Sequence, residues 1–170
     1  MGPFAAPVPL LPEHETGAFD CGSPSLSNWI RDVALMAHRA GTSRVYVACE
    51  ANTPIVVGYY AVAAASLSLQ QATPRALKGA GRGEIPAILL TRLTVDTRSQ
   101  GRGLGKALVS DALRRVVEAA DVVGVRVLLI HAESPAARDF YLHLAEFEAS
   151  PTDPLHLILL LKDLRHALDR

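Results

Sequence analysis

Apolar residues recur along this chain with two different periods, and the switches between them mark its elements. From Ser23 to Gly41, the residues Leu26, Trp29, Ile30, Val33 and Met36 or Ala37 follow the spacing of one helix face. Ser23 or Ser25 suits its N-cap, and Gly41 suits its end. SRVYVACE and IVVGYYAVAAASL are rich in β-branched and aromatic residues, and the turn signal ANTP between them predicts an antiparallel hairpin. Residues 70–85 read as a loop with room for one short helical turn. Ile88 to Val95 is the next strand, and Leu104, Leu108, Val109, Ala112, Leu113, Val116 and Val117 mark one side of a long helix that Asp121 and Gly124 finish. Val125 to Ala132 is almost continuously apolar, as a strand covered on both faces would be. Strand, helix and strand in that order predict a parallel pair with a right-handed crossover. Ser134 and Pro135 form an N-cap and N1 pair for a helix through Phe140, Tyr141 and Leu144, and Leu155 to Leu161 is a last strand. The Pro-rich segment before Ser23 is expected to be extended. Together these elements predict an α/β fold on a mixed, mostly antiparallel sheet.

The chain has 170 residues, 49% hydrophobic and 20% charged, which suits one globular domain spanning 1–170. Formal net charge is zero, so only its distribution informs. Nine Lys/Arg against three acids lie between Arg75 and Arg115, leaving eight basic and fourteen acidic residues elsewhere. A chain so polarised either holds a polyanion on one face or carries a scattered solvated surface. Cys21 and Cys49 lack metal-like or CxxC spacing, which predicts a reducing compartment and packed thiols. The N-terminus has neither the basic nor the apolar region of a signal peptide, and Ile55 to Leu69 is too short and broken to span a bilayer. A cytoplasmic location is expected.

The most informative stretch is TVDTRSQGRGLGKAL, where Gly101, Gly103 and Gly105 separate a strand from a helix. A helix start leaves backbone N–H groups without partners at the positive end of its dipole, and a phosphate binds there when no Cβ intervenes. Arg98, Arg102 and Lys106 add positive charge. A P-loop is excluded because Gln100 stands at its first glycine and Ala107 at its Ser/Thr. A dinucleotide fingerprint is excluded because Lys106 stands at its third glycine. The spacing that fits is Gln100-x-x-Gly103-x-Gly105.

That hexad, preceded by LTRLTVD and followed by a long helix, resembles the pyrophosphate-binding motif of the GNAT acetyltransferase superfamily. The resemblance implies a GNAT fold with a central, splayed parallel strand pair and acetyl-CoA as acetyl donor, with no metal. It implies that Gln100, Gly101, Arg102, Gly103, Leu104, Gly105 and Lys106 hold the diphosphate. Leu93, Thr94 and Val95 would hydrogen-bond the pantetheine arm, with the Val95 N–H as oxyanion donor. FDCGSPSLSNWIRD, VRVLLIHAESPAARDFY and ASPTDPLHLILLL extend the resemblance over nearly the whole chain. With that stretch they resemble the GNAT toxins of type II toxin–antitoxin modules, the TacT and AtaT group. This implies acetylation of the α-amino group of aminoacyl-tRNA, a block of translation, and a ribbon-helix-helix antitoxin as partner. It also implies a homodimer and contact with operator DNA only through the antitoxin. Tyr141 in AARDFY resembles the family's general acid. The run after it departs from the family pattern: Ala145-Glu146-Phe147 replaces Gly-Phe, with one residue extra and the glycine missing.

Candidate residues around this core have plain alternatives. Arg75, Lys78, Arg82 and Arg92 are candidate substrate-binding cations, and Arg92 could equally pair with an acid. Glu84 and Glu133 read as surface carboxylates, Trp29 as core, and His131 and His143 do not form a ligand cluster. The lack of an obvious base suits an α-amino acceptor, whose pKa is about 8, whereas a lysine at about 10.4 would cost more than about 4 kcal/mol to deprotonate at pH 7. Two other readings stay open: a GNAT enzyme acting on a small amine or a protein N-terminus, and a non-catalytic CoA-binding partner of a DNA-binding regulator.

Overall fold

The computed structural model describes residues 2–169. Contacts divide the chain into two compact units, 1–63 with 91–112 and 64–90 with 113–170.

The first unit opens with an extended segment holding β1 (Val8–Pro9), which pairs antiparallel with β2 (Arg44–Cys49). The first expected helix is two: α1 (Pro24–Asp32) and α2 (Ala34–Ala40) meet at Val33, whose φ of −122° leaves the helical range. Ser23 caps α1 by accepting from the Leu26 N–H, and Gly41 ends α2 at φ 76°. The break turns the buried face onto Ile30 and Ala34. Val33 and Met36, expected on that face, are exposed instead. β2 pairs antiparallel with β3 (Val56–Leu67) around a turn in which Asn52 takes φ 62°. Val45, Val47 and Tyr59 from this hairpin close over Leu10, Phe19 and Ile30, with Trp29 packed against the cluster as the sequence suggests.

The strand before the glycines is β4 (Ile85–Val95), three residues longer at its start than expected. The helix after them is α4 (Leu104–Ala120). Within the first unit α4 lies close to β3. A Cβ on Gly58 would come within 3.0 Å of Leu108 Cδ1 and 3.1 Å of Leu104 Cδ2. Buried Asp111 of α4 accepts a 2.6 Å hydrogen bond from the Tyr60 hydroxyl of β3.

In the second unit β4 pairs in parallel with β5 (Val127–His131), and β5 pairs antiparallel with β7 (Asp153–Leu160). A short β6 (Glu148–Ser150) edges β7. The expected helical turn in the 70–85 loop is α3 (Pro74–Leu77), capped by Thr73. α5 (Pro135–Leu144) starts where Ser134 and Pro135 predict, with Ser134 Oγ accepting from the Ala137 N–H at 3.1 Å. α6 (Leu161–Leu168) follows β7, where sequence had ended on a strand. Leu67, Ile85, Val127, Leu129, Ile158 and Leu160 form this unit's core. The full strand order is β1-β2-β3-β4-β5-β7-β6, the mixed sheet that sequence predicts. Among the described residues no helix is long and apolar enough to cross a membrane.

Because a side chain at Gly58 would crowd Leu104 and Leu108, Gly58→Val is expected to overpack this contact. It should lower stability by about 1–3 kcal/mol, read as a shift of the urea unfolding midpoint.

Candidate active site

The parallel ladder between β4 and β5 runs only from Ala87↔Val127 to Leu90↔Ile130, yet β4 continues to Val95. Leu93, Thr94 and Val95 therefore lie beyond that ladder, where backbone groups not already bonded, the Val95 carbonyl excepted, could meet a ligand. Past buried Val95 and Asp96 the chain makes one 3₁₀ turn (Thr97–Ser99) and reaches the glycines. Gly101 and Gly103 take φ 75° and 84°, where only glycine sits without strain. A Cβ at either would meet no atom within 4 Å, so open space faces both. The Ala107 N–H is already bonded to the Gly103 carbonyl at 3.1 Å. The amides of Leu104, Gly105 and Lys106 precede it in the first turn, where helices lack internal acceptors. This cradle fits a diphosphate, and it belongs entirely to the first unit.

A fully buried carboxylate holds the cradle in shape. Asp96 accepts from the Asp20 N–H at 3.0 Å, the Arg98 N–H at 2.9 Å and the Arg98 guanidinium at 2.9 and 3.0 Å. Thr97 N–H returns a bond to the Asp20 carbonyl at 2.8 Å. Burial opposes the charge, but the Arg98 guanidinium and the Asp20 and Arg98 amides outweigh it, holding the Asp96 carboxyl below its usual range. Gln100 turns inward: its side-chain amide donates to the Val95 carbonyl at 2.9 Å and the Cys21 carbonyl at 3.4 Å. Sequence reasoning overlooked Asp96, although an Asp leaving a strand before a turn is the usual signal for such a bond.

The structure sorts the candidate cations. Lys106 is exposed beside the cradle, whereas Arg102 lies over the Phe4 ring at 4.9 Å. Arg98 is committed to Asp96. Arg75 pairs with Asp163 at 2.9 Å and Glu148 at 3.3 Å, which leaves it less charge for a phosphate. Lys78 and Arg82 are exposed on the loop after α3. Arg92 pairs with no acid among the described residues and sits over Trp29. The excess of six positive charges is therefore smaller at the surface than its count.

The second unit carries Tyr141 on α5, 7% exposed. Its ring meets those of Phe140 and Phe147 edge-on, with centroids 5.3 and 6.2 Å away. Burial, then the negative charge of Glu133, pushes its pKa up to about 12. Its hydroxyl makes no hydrogen bond among the described residues. The missing glycine after it has a structural answer. Ala145 leaves α5 at φ −157°, an extended conformation open to any residue, and the Phe147 N–H bonds back to the Ala145 carbonyl at 2.9 Å. Phe147 thereby returns to a buried place against Tyr141 despite the extra residue.

Glu84 is exposed and accepts from Ser66 Oγ at 2.9 Å, and Glu133 is exposed. His131 on β5 faces His156 on β7, with ring centroids 4.2 Å apart. Burial and the neighbouring imidazole lower the His156 pKa. Among the described residues no group of three or more His, Cys, Asp or Glu could hold a metal ion. Exposed His143 bonds through Nδ1 to the Asp139 carbonyl at 2.7 Å.

A mixed sheet with one parallel pair, whose first strand runs on into a glycine cradle at a helix start, defines a GNAT-type acyltransferase fold. No protein-family model matches the chain. It is 44% identical over 165 residues to a tRNA-acetylating toxin of Mycobacterium tuberculosis, covering 97% of both chains. With that identity across that length, the chain belongs to the TacT/AtaT-like family of GNAT toxins. Among solved structures it resembles AtaT complexed with acetyl-methionyl-tRNAfMet at a TM-score of 0.87, with 26% identity over 97% of this chain and 99% of that one. It resembles AtaTR bound with acetyl-CoA at a TM-score of 0.83, with 27% identity over 99% of each. A further match is a tyrosine-to-phenylalanine mutant of AtaT bound to the C-terminus of the antitoxin AtaR, with a TM-score of 0.82 and 26% identity over 99% of this chain and 100% of that one.

Because folding depresses the Asp96 carboxyl, its contribution to stability is whole above pH about 4 and is lost as pH falls through the folded value. Asp96→Asn is expected to cost about 1–3 kcal/mol at pH 7 and to flatten the acid limb of a stability–pH profile measured by urea unfolding.

Proposed function

We propose that this chain is an acetyl-CoA-dependent N-acetyltransferase of a toxin–antitoxin module, and that it acetylates the α-amino group of aminoacyl-tRNA and so blocks translation. The observation that carries this reading is the 44% identity to a tRNA-acetylating toxin across 97% of both chains. The residues present suit the donor. Gly101, Gly103 and the first-turn amides of Leu104, Gly105 and Lys106 would hold its diphosphate, and the edge of Leu93 to Val95 its pantetheine. In this reading the Val95 N–H stabilises the oxyanion, a contribution of roughly 3 kcal/mol for a preorganised donor.

Acetyl-CoA supplies the acetyl group as a thioester. Tyr141 serves as general acid. A phenol held at about 12 stays protonated at every physiological pH, so the proton is always in place. It is a weaker acid than an ordinary tyrosine, and full transfer to a thiolate is uphill. The hydroxyl would therefore donate a hydrogen bond to sulfur as the C–N bond forms and the C–S bond breaks. The proton that the acceptor nitrogen sheds would replace the one passed to the thiolate, leaving the amide, the free thiol and a protonated tyrosine. An α-amino group needs no strong base for this, because much of it is neutral near pH 7.

The coarser partners follow from the family: an antitoxin, and DNA through the antitoxin. In finer detail we propose a ribbon-helix-helix antitoxin and a homodimeric toxin formed from a single GNAT domain. Charged tRNA is a cytoplasmic substrate, so the enzyme works in the cytoplasm.

Labelled acetyl-CoA incubated with total charged tRNA should transfer label, and with deacylated tRNA should not; label on both, or on neither, overturns the aminoacyl-amine reading. Tyr141→Phe is expected to lower kcat by about 10²–10⁴-fold with little change in KM. The kcat of the intact enzyme should rise with pH as the acceptor amine loses its proton and then stay level to about pH 10, since Tyr141 remains protonated. A falling limb near pH 9 that Tyr141→Phe removes would show that burial does not hold this phenol protonated.

A further inference from the structure

Several arginines among the described residues reach an oxygen of the protein. Arg31, Arg75, Arg98, Arg126 and Arg165 each meet a carboxylate or a backbone carbonyl. Arg92 does not. It sits half-buried in the interior of β4, where a charged residue is costly. Among the described residues its guanidinium has neither an ion pair nor a hydrogen bond. It lies instead over the Trp29 ring, 4.1 Å from the centroid.

That platform is rigid. Trp29 stacks on Tyr59 with centroids 5.9 Å apart and planes 19° from parallel. Tyr59 is fully buried, meets Phe19 edge-on at 5.5 Å, and donates its hydroxyl to the Leu26 carbonyl at 2.7 Å. An aromatic face satisfies the guanidinium electrostatically but takes none of its five N–H donors. The donors lie in the guanidinium plane, in the planar fork that matches a phosphate bidentately.

The position argues against the diphosphate of acetyl-CoA as the anion. Arg92 precedes Val95 by three strand residues, or roughly 10 Å. The diphosphate cradle starts beyond Val95, at Gly101. An anion at Arg92 therefore belongs to the acceptor, and the acceptor proposed above ends in a ribose–phosphate chain.

We propose that Arg92 binds a backbone phosphodiester near the 3′ end of the acceptor RNA, with Trp29 as the residue that positions it. This rests on the aminoacyl-tRNA reading. A lysine there would keep the charge without the fork, and a neutral residue would lose both.

The test is direct binding of bulk aminoacylated tRNA by filter retention, without acetyl-CoA, from about 50 to about 200 mM salt. Each phosphate contact contributes roughly 0.7–0.9 to the slope of log affinity against log salt. Arg92→Met keeps an apolar stem over Trp29 and should reduce the slope by that amount, while acetyl-CoA affinity by calorimetry stays at the wild-type value. Arg92→Gln serves as a second neutral variant should the first unfold. Arg92→Lys and Trp29→Leu should weaken binding several-fold at fixed salt but retain the slope, which a merely structural role for Arg92 does not produce. A wild-type slope in both neutral variants, or a loss of acetyl-CoA affinity in them, overturns the assignment. A wild-type protein that binds no tRNA overturns this assignment and the function beneath it. Binding with the expected slope change but without acetyl transfer overturns the acetylation reading alone.

Discussion

The Asp96 carboxylate is the constraint on which the cradle depends. A loop that bares its backbone N–H groups through glycines cannot be stiffened by those residues' side chains, because they have none. Rigidity has to come from the flanks. Asp96, fully buried, gathers the Asp20 and Arg98 amides and the Arg98 guanidinium around one charge. Gln100 closes the other flank onto Val95 and Cys21. One carboxylate thereby ties the segment leading into α1 to the loop leading into α4. Such a charge is stable in the interior only because its acceptors are filled.

The two compact units carry different candidate groups. The first contributes backbone: a strand edge beyond its parallel ladder, and a helix start with open space above two left-handed glycines. The second contributes a side chain, a tyrosine whose proton is held by apolar surroundings and by a nearby carboxylate. Backbone donors have no pKa to tune, so of these two sets of candidate groups only the Tyr141 phenol titrates. In the second unit β4 contributes Ile85 and Ala87 to the core around Val127.

Legibility in the sequence follows the range of the interaction concerned. Ser23, Gly41, Ser134 and Pro135 mark helix ends correctly because a cap is satisfied within three residues of itself. The long helix after the glycines is visible because its apolar stripe is long and regular. β1, β6 and α6 escape notice: the two strands have two and three residues, too few to show a period, and α6 follows directly on an apolar strand. The split at Val33 escapes because a helical stripe says nothing about where the partner surface bends away.

The glycine spacing, the strand before it and the helix after it determine from the sequence alone that a bare backbone meets a helix start here, the arrangement expected of a GNAT phosphate cradle, since it is a local property. The fate of the charges was decided only by tertiary structure. Nothing in the order of residues tells that Arg75 meets Asp163, that Arg98 is held by Asp96, or that Arg92 rests on Trp29. An ionic or aromatic contact depends on which distant side chains the fold brings within a few ångströms. The same holds for Ala145, which replaces the family's glycine without strain because the backbone there is extended, a conformation set by where Phe147 must reach to cover Tyr141.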